Sequence, residues 1–439
     1  MKWRCRHPQP RGCWIRAATA ARRAALGILR DVRAGAPLDA ARDRHLAGLA
    51  ERDRRLAYEL SAGVLRQQRE LDDALDLDQA DPRLHDVLRL GAYQLRHLSR
   101  VPPHAAVSTS VELARETVGE KVTGYVNRFL RRLSADGYRV SGKTRSHPDW
   151  LVARWESQFG SEETQRLLEW NDAKPELFIQ PARWDQETLL RRLRESGLKA
   201  DEAPFGAGIS LYPIADRRYA LAKDLPGYRE GGFIVQDPAH ALVARYAAIP
   251  SGALVYDACA APGGKAVALE AAGARVLAGD ARHERMGRLA DTTRRAGVAI
   301  HTLAANLEAA PLRPGSVDAV LVDAPCSATG TMRRHPDARW KLRPGVFQRL
   351  AARQTRLLDA AAPLVRPGGL LIYATCSIEP EENESVVERF LMQHPEFTRT
   401  PRHQLGPFAE LLTPGGAFQS YPQRHGIDGA YAARLVRAS

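Results

Sequence analysis

The stretch DACAAPGGK (257–265) follows a short apolar run and opens into an amphipathic segment, so it reads as strand, tight turn, helix. Gly263 and Gly264 let the backbone approach a ligand closely. The helix start beyond them offers unpaired N–H groups. The stretch is not G-x-G-x-x-G, and no Lys-Ser/Thr pair follows it. Its plainer reading is a tight turn with no ligand.

Working outward, strand, loop and helix repeat from about residue 234 to the end. Strands are expected over 253–256, 275–278, 300–304, 317–322 and 370–374, with amphipathic helices between them. That alternation predicts a doubly wound parallel sheet. Such sheets bind ligands outside the carboxyl ends of their strands.

The residues that stand out fall at those ends. Asp280 closes the second strand, about 20 residues after the glycine turn, which suits ribose hydroxyls. Turn and acid together imply an adenosine-containing ligand without a pyrophosphate. S-adenosyl-L-methionine fits, held by Ala258, Cys259, Ala260, Ala261, Pro262, Gly263, Gly264 and Lys265 with Asp280 and Asp323. Asn306 ends the third strand, where its amide can meet an adenine edge; a surface aspartate and a loop asparagine are the plain alternatives.

DAPCS (323–327) ends the fourth strand and TCS (375–377) the fifth. Neighbouring strands lie about 5 Å apart, so Cys326 and Cys376 are expected in one crevice. A buried cysteine is often only a small hydrophobe; two of them beside a cofactor turn argue for chemistry. Cys259 is expected to pack, and Cys5 and Cys13 to have no role. The acids of the following EPEE (379–382) suit a helix start but would raise the pKa of a nearby thiol. Arg333, Arg334 and His335 are candidate phosphate contacts, or a solvated basic loop.

Composition sets the class. The 439 residues allow two or three domains, and 64 Lys+Arg against 51 Asp+Glu give a net charge of +13. That excess favours a polyanion such as nucleic acid. No run approaches the ~20 apolar residues of a membrane span. Five sparse cysteines without CxxC argue against a disulfide framework and a zinc site, and for a reducing cytoplasm.

The chain divides into a basic extension (1–16), an all-α domain (17–143), a small α/β unit (144–233) and the α/β Rossmann-like domain (234–439). Leu84, Val87, Leu88, Gly91, Leu95 and Leu98 recur at helical spacing, as do Val122, Val126, Phe129, Leu130 and Leu133. Pro102 and Pro103 break the chain between helices, and SGKTRSHPDW (141–150) marks a boundary. The small unit carries strand candidates ELFIQPA, GISLYPI and GGFIVQD, and a helix in DQETLLRRLRESG, and could resemble an RNA-recognition sheet.

DACAAPGGK, LVDAPCSATGTMRRHPD and YATCSIEPEEN resemble the RNA cytosine-5 methyltransferases. The wider similarity is to the bacterial 16S rRNA (cytosine-5)-methyltransferase B family, over roughly residues 17–437. PPHAAVSTSVELAR (102–115) and YVNRFLRRL (125–133) resemble its NusB-like RNA-binding domain, and IVQDPAHAL (234–242) the entry to its catalytic domain. The resemblance implies Cys376 as the nucleophile that attacks cytosine C6 and Cys326 as the thiol that assists product release. It implies that Asp323 holds a proton against cytosine N3, and that Lys265 orients that acid or a phosphate. Asn306 stands where the family commonly has an acid, and Ala430 and Tyr431 replace a more aromatic pair in GIDGAYAARL (426–435).

The expectation is therefore an S-adenosyl-L-methionine-dependent methyltransferase acting on C5 of a cytosine in 16S rRNA, or on the assembling small ribosomal subunit. It is expected to be cytoplasmic and monomeric, with no metal and no membrane. The alternatives are the same chemistry on tRNA or another RNA, a NusB-like RNA-binding protein that has lost activity, and a redox protein using a Cys326–Cys376 disulfide.

Overall fold

A computed structural model of the chain describes residues 11–75, 77, 80–135, 146–212, 222–406 and 408–439, with side chains described from Thr19 onward, apart from that of Ala409. The expected extension over 1–10, Cys5, and the linker over 136–145 lie outside the described residues; of Cys13 only the backbone is described. The first helix, Arg11–Arg33, begins inside the expected basic extension.

Contacts divide the chain into two units, one of residues 1–173 with 333–341, the other of 174–332 with 342–439. The first unit is helical. Ala21, Ala25, Ile28, Leu29 and Val32 of the first helix are buried at helical spacing, with Val87 and Leu88 of His85–His97 and Val126 and Leu130 of Thr123–Ala135 in the same core. Pro103 opens the helix Pro103–Thr117, where a missing N–H costs nothing. Two further helices, Asp149–Phe159 and Ser161–Asp172, pack in this unit.

The segment 333–341 also packs inside the helical unit. Arg339 is fully buried, paired with Asp172 at 2.8 Å and donating to the carbonyls of Arg66, Ser146 and Asn171. Trp340 Nε1 donates to Leu65 O, and Asp337 accepts from the backbone N–H of Leu38.

The second unit holds two sheets. In the smaller, strands β1 (Leu177–Pro181), β2 (Lys199–Glu202), β3 (Ile209–Tyr212) and β4 (Phe233–Val235) run antiparallel in the order β2-β3-β1-β4. The helix Gln186–Glu195, capped by Asp185, buries Leu189 and Leu193 with Ile179, Ile209 and Phe233. β2 lies at the edge and is largely exposed, so it carries no apolar alternation for sequence reasoning to find.

The larger sheet contains β5 (Leu254–Asp257), β6 (Arg275–Asp280), β7 (His301–Ala304), β8 (Val317–Asp323) and β9 (Val365–Thr375), parallel in the order β9-β8-β5-β6-β7. β8 is buried nearly throughout, as expected for a strand covered on both faces. The sheet is not wholly parallel. β12 (Ala430–Arg437) pairs antiparallel with β9, and β10 (Phe397–Arg399) and β11 (Phe418–Ser420) pair antiparallel with β12. The parallel edge beside β9 is thereby covered, and the C-terminal motif becomes part of the wall behind Cys376.

Candidate active site

The cofactor turn follows β5. Gly263 caps the helix Gly264–Ala271 with φ 108°, a left-handed conformation that suits glycine, and a Cβ there would meet Leu289 Cδ1 at 2.9 Å. A Cβ on Gly264 would lie 2.8 Å from Gln236 Nε2. Asp257 is fully buried, and burial, then the charge of Asp323, pushes its carboxyl up to about 7, against the Cys259 N–H that lowers it. At the end of β6, Asp280 is buried; it accepts from the Arg282 N–H at 2.9 Å and pairs with Arg285 at 3.1 Å. Cys259 is pushed up to about 12 by burial and then by Asp257, Asp323 and Asp280, so it stays a protonated packing thiol. Asn306 is exposed, and its side-chain oxygen caps the next turn by accepting from Glu308 N.

The register of β8 against β9 aligns Asp323 with Ala374, so the two cysteine loops leave the sheet side by side. Cys326 Sγ and Cys376 Sγ are 2.9 Å apart, and the Cys376 N–H points at Cys326 Sγ at 3.3 Å. The interaction with Cys376, then burial, then the charge of Glu382 hold Cys326 well above the ordinary thiol range. Lys265 crosses from the cofactor helix to Asp323 at 2.7 Å and to His240 Nδ1 at 3.1 Å. Burial alone would lower the Lys265 ammonium; Asp323, Asp257 and Cys376 outweigh it, so Lys265 stays charged. The glycine turn, β6 end and both thiol loops therefore converge at the carboxyl edge of one sheet.

His240 and Gln236 were missed as individual residues, although IVQDPAHAL contains both; neither spacing nor residue type places them beside Lys265 and Gly264. Gln354 was missed as well, because its contacts are with residues distant in sequence; Glu382 was expected only as one of the acids near a thiol, without its ties to both serines. Arg333 corrects an expectation: it is buried and its guanidinium sits 4.2 Å over the Trp170 ring, which removes it from phosphate. Arg334 and His335 are half-buried, with His335 Nδ1 4.0 Å from Asp39. A cavity of about 310 Å³ lies beside the second cysteine loop, lined among others by Ile378, Asn383, Tyr421 and Tyr431. Neither cysteine lines it, so it is separate from the thiol crevice.

The chain is 34% identical to a "Probable ribosomal RNA small subunit methyltransferase B" of Synechocystis, across 95% of this chain and 99% of that protein. It belongs to the ribosomal RNA small subunit methyltransferase B family. The Salmonella typhi member is also 34% identical, over 89% of this chain and 92% of its own length. Residues 248–436 match the family described as 16S rRNA methyltransferase RsmB/F, 19–135 the NusB family, and 147–212 the RsmF/B-like ferredoxin-like domain. The crystal structure of PH0851 superposes with a TM-score of 0.79 at 25% identity, covering 95% of this chain and 98% of that one. NSun6 from Pyrococcus horikoshii, solved with SFG, gives 0.58 at 18% identity over 66% of this chain and 98% of that one, a likeness of fold alone. As a member of the methyltransferase B family, the protein is an RNA methyltransferase whose cofactor is S-adenosyl-L-methionine. The site fits it, since the buried carboxyls of Asp257 and Asp280 at the ends of β5 and β6, beside the glycine turn, suit a cationic, hydroxylated ligand.

Proposed function

We propose that the protein methylates C5 of a cytosine in 16S rRNA through a covalent adduct between Cys376 and cytosine C6. The observation that carries this reading is the pair of sulfurs 2.9 Å apart at the ends of adjacent strands, beside the Lys265–Asp323 pair. S-adenosyl-L-methionine, when bound, supplies an electrophilic methyl on a sulfonium. The turn 258–265 with Asp280 holds it, and Asn306 is proposed for its adenine. Cys376 as thiolate adds to C6, and Asp323 holds a proton at N3, so that C5 becomes enamine-like. Once C5 carries the methyl, its proton passes to solvent water, the C5=C6 bond re-forms and Cys376 departs as thiolate. Cys326, which keeps its proton, assists this second half.

The basic helical unit and the ferredoxin-like domain would grip structured rRNA through phosphates and shape, with Arg334 and His335 as proposed phosphate contacts. The target base is unstacked to reach the thiols. A cytoplasmic monomer acting on rRNA or an assembling small subunit completes the proposal. Among the described residues no helix is long and apolar enough to cross a membrane.

The test is transfer of labelled methyl from S-adenosyl-L-methionine to unmodified 16S rRNA. Wild type is expected to label a cytosine, Cys376→Ala to be inactive, and Cys326→Ala to accumulate a covalent protein–RNA species. Inactive Cys326→Ala with trapping by Cys376→Ala would reverse the assignment. Labelling of tRNA and not 16S rRNA would move the substrate, and no labelling of any RNA would favour an RNA-binding role.

A further inference from the structure

Each cysteine is followed by a serine, and both serines are tied to one buried carboxylate. Glu382 Oε1 accepts from the Ser327 N–H at 2.9 Å and from Gln354 Nε2 at 2.9 Å. Its Oε2 accepts from Ser377 Oγ at 2.7 Å and from Ser327 Oγ. Gln354, fully buried on the helix Val346–Ala361, also donates to Pro325 O at 3.0 Å, just ahead of Cys326. Glu382 is itself 0% exposed, and its carbonyl accepts from Tyr373 Oη at 2.5 Å. Four donors converge on one carboxylate that nothing in the transfer chemistry uses. Burial raises the Glu382 carboxyl, and the hydrogen bonds from Ser327, Ser377 and Gln354 work against that rise.

We propose that Glu382 is a positioning residue that locks the Cys326 loop to the Cys376 loop and so sets the approach and the separate duties of the two sulfurs. The duties rest on the function proposed above; the lock does not. Its charge acts chiefly on Cys326, since Ser327 joins the two directly. The ionisable groups facing Cys326 are Cys376 and Tyr373 from β9 and its end, and Glu382 from the turn beyond; Lys265 feels Cys376 from the cofactor helix. A negative charge at Glu382 disfavours a thiolate at Cys326.

Two readouts test this. Iodoacetamide labelling across pH, with each cysteine read separately by mass spectrometry, needs neither RNA nor methyl transfer. Methyl transfer to 16S rRNA reads kcat and KM. Glu382→Gln removes the charge but keeps a tie, because serine hydroxyls accept as well as donate. It is expected to shift Cys326 labelling to lower pH, to bind S-adenosyl-L-methionine within about twofold of wild type, and to lower kcat more than KM. Glu382→Ala removes charge and tie and is expected to lose about 100-fold in kcat, the scale of a small misplacement of reacting groups. Wild-type labelling and wild-type kcat in Glu382→Gln would overturn the proposal. If Glu382→Ala does not fold, the double variant Ser327→Ala/Ser377→Ala stands in for it. A wild-type rate there would equally overturn the lock. Should wild type methylate no RNA, the labelling profile still decides the lock, so the two failures are distinguishable.

Discussion

Burial holds the Asp257 carboxyl at about 7, with Asp323 adding to the effect. The folded protein keeps a proton there that the unfolded chain, near an ordinary pKa of about 3.9, has already lost. Stability contributed at this residue is therefore full below about pH 4, falls as pH rises towards about 7 and is level above it. Asp257→Asn is neutral throughout, so its melting temperature is expected to fall less than that of wild type between about pH 4 and pH 7. Thermal melts at a series of pH values check this, and parallel curves for the two proteins would exclude it. The residue type at 257 was legible in DACAAPGGK, but the burial that moves its proton was not. The same is true of Cys326. Its motif marks the thiol, whereas its protonation depends on Cys376 and Glu382, 50 and 56 positions away in the chain.

Among the elements, the loop after Cys326 is held by close backbone contact. Gly330 N–H donates to Cys376 O at 3.0 Å, and Gly429 N–H donates to Gly330 O at 2.8 Å. A Cβ on Gly330 would stand 2.3 Å from Gly429 O, so the two loops touch only because both positions are glycine. Gly330→Ala is expected to cost about 1–3 kcal/mol as overpacking. It should lower methyl transfer while leaving S-adenosyl-L-methionine affinity at wild type, because the cofactor turn is on other strands. Calorimetric titration alongside the transfer assay separates the two, and unimpaired transfer would show that the loop tolerates displacement. The expected strands of the parallel sheet matched those observed because apolar runs bounded by turns identify buried strands well. β12 did not read as the partner of β9, because antiparallel pairing with a distant strand leaves no local signal.

Across the whole molecule, the segment 333–341 completes the core of the helical unit. A fragment ending at Ala173 lacks it, leaving Asp172 without Arg339 and the carbonyls of Leu65, Ser146 and Asn171 without donors. Removing one partner of a buried ion pair costs about 3–5 kcal/mol. Asp172 retains 22% exposure, which sets the expected loss at the lower end. The fragment should melt below the helical transition of the full chain, by circular dichroism, and supplying 333–341 as a peptide should raise it. Equal melting would mean that the helices up to Ala173 suffice without 333–341.

Local sequence carried the strand–turn–helix around the glycine turn, the two thiols at strand ends, the helical domain ahead of them and the family. These are local properties, carried by periodicity, turn residues and short motifs. Folding, by contrast, packs Arg333 against Trp170, lays β12 along β9 and joins both cysteine loops to one glutamate. Each depends on groups brought together from distant parts of the chain, and the burial that makes those contacts matter exists only once the chain has folded.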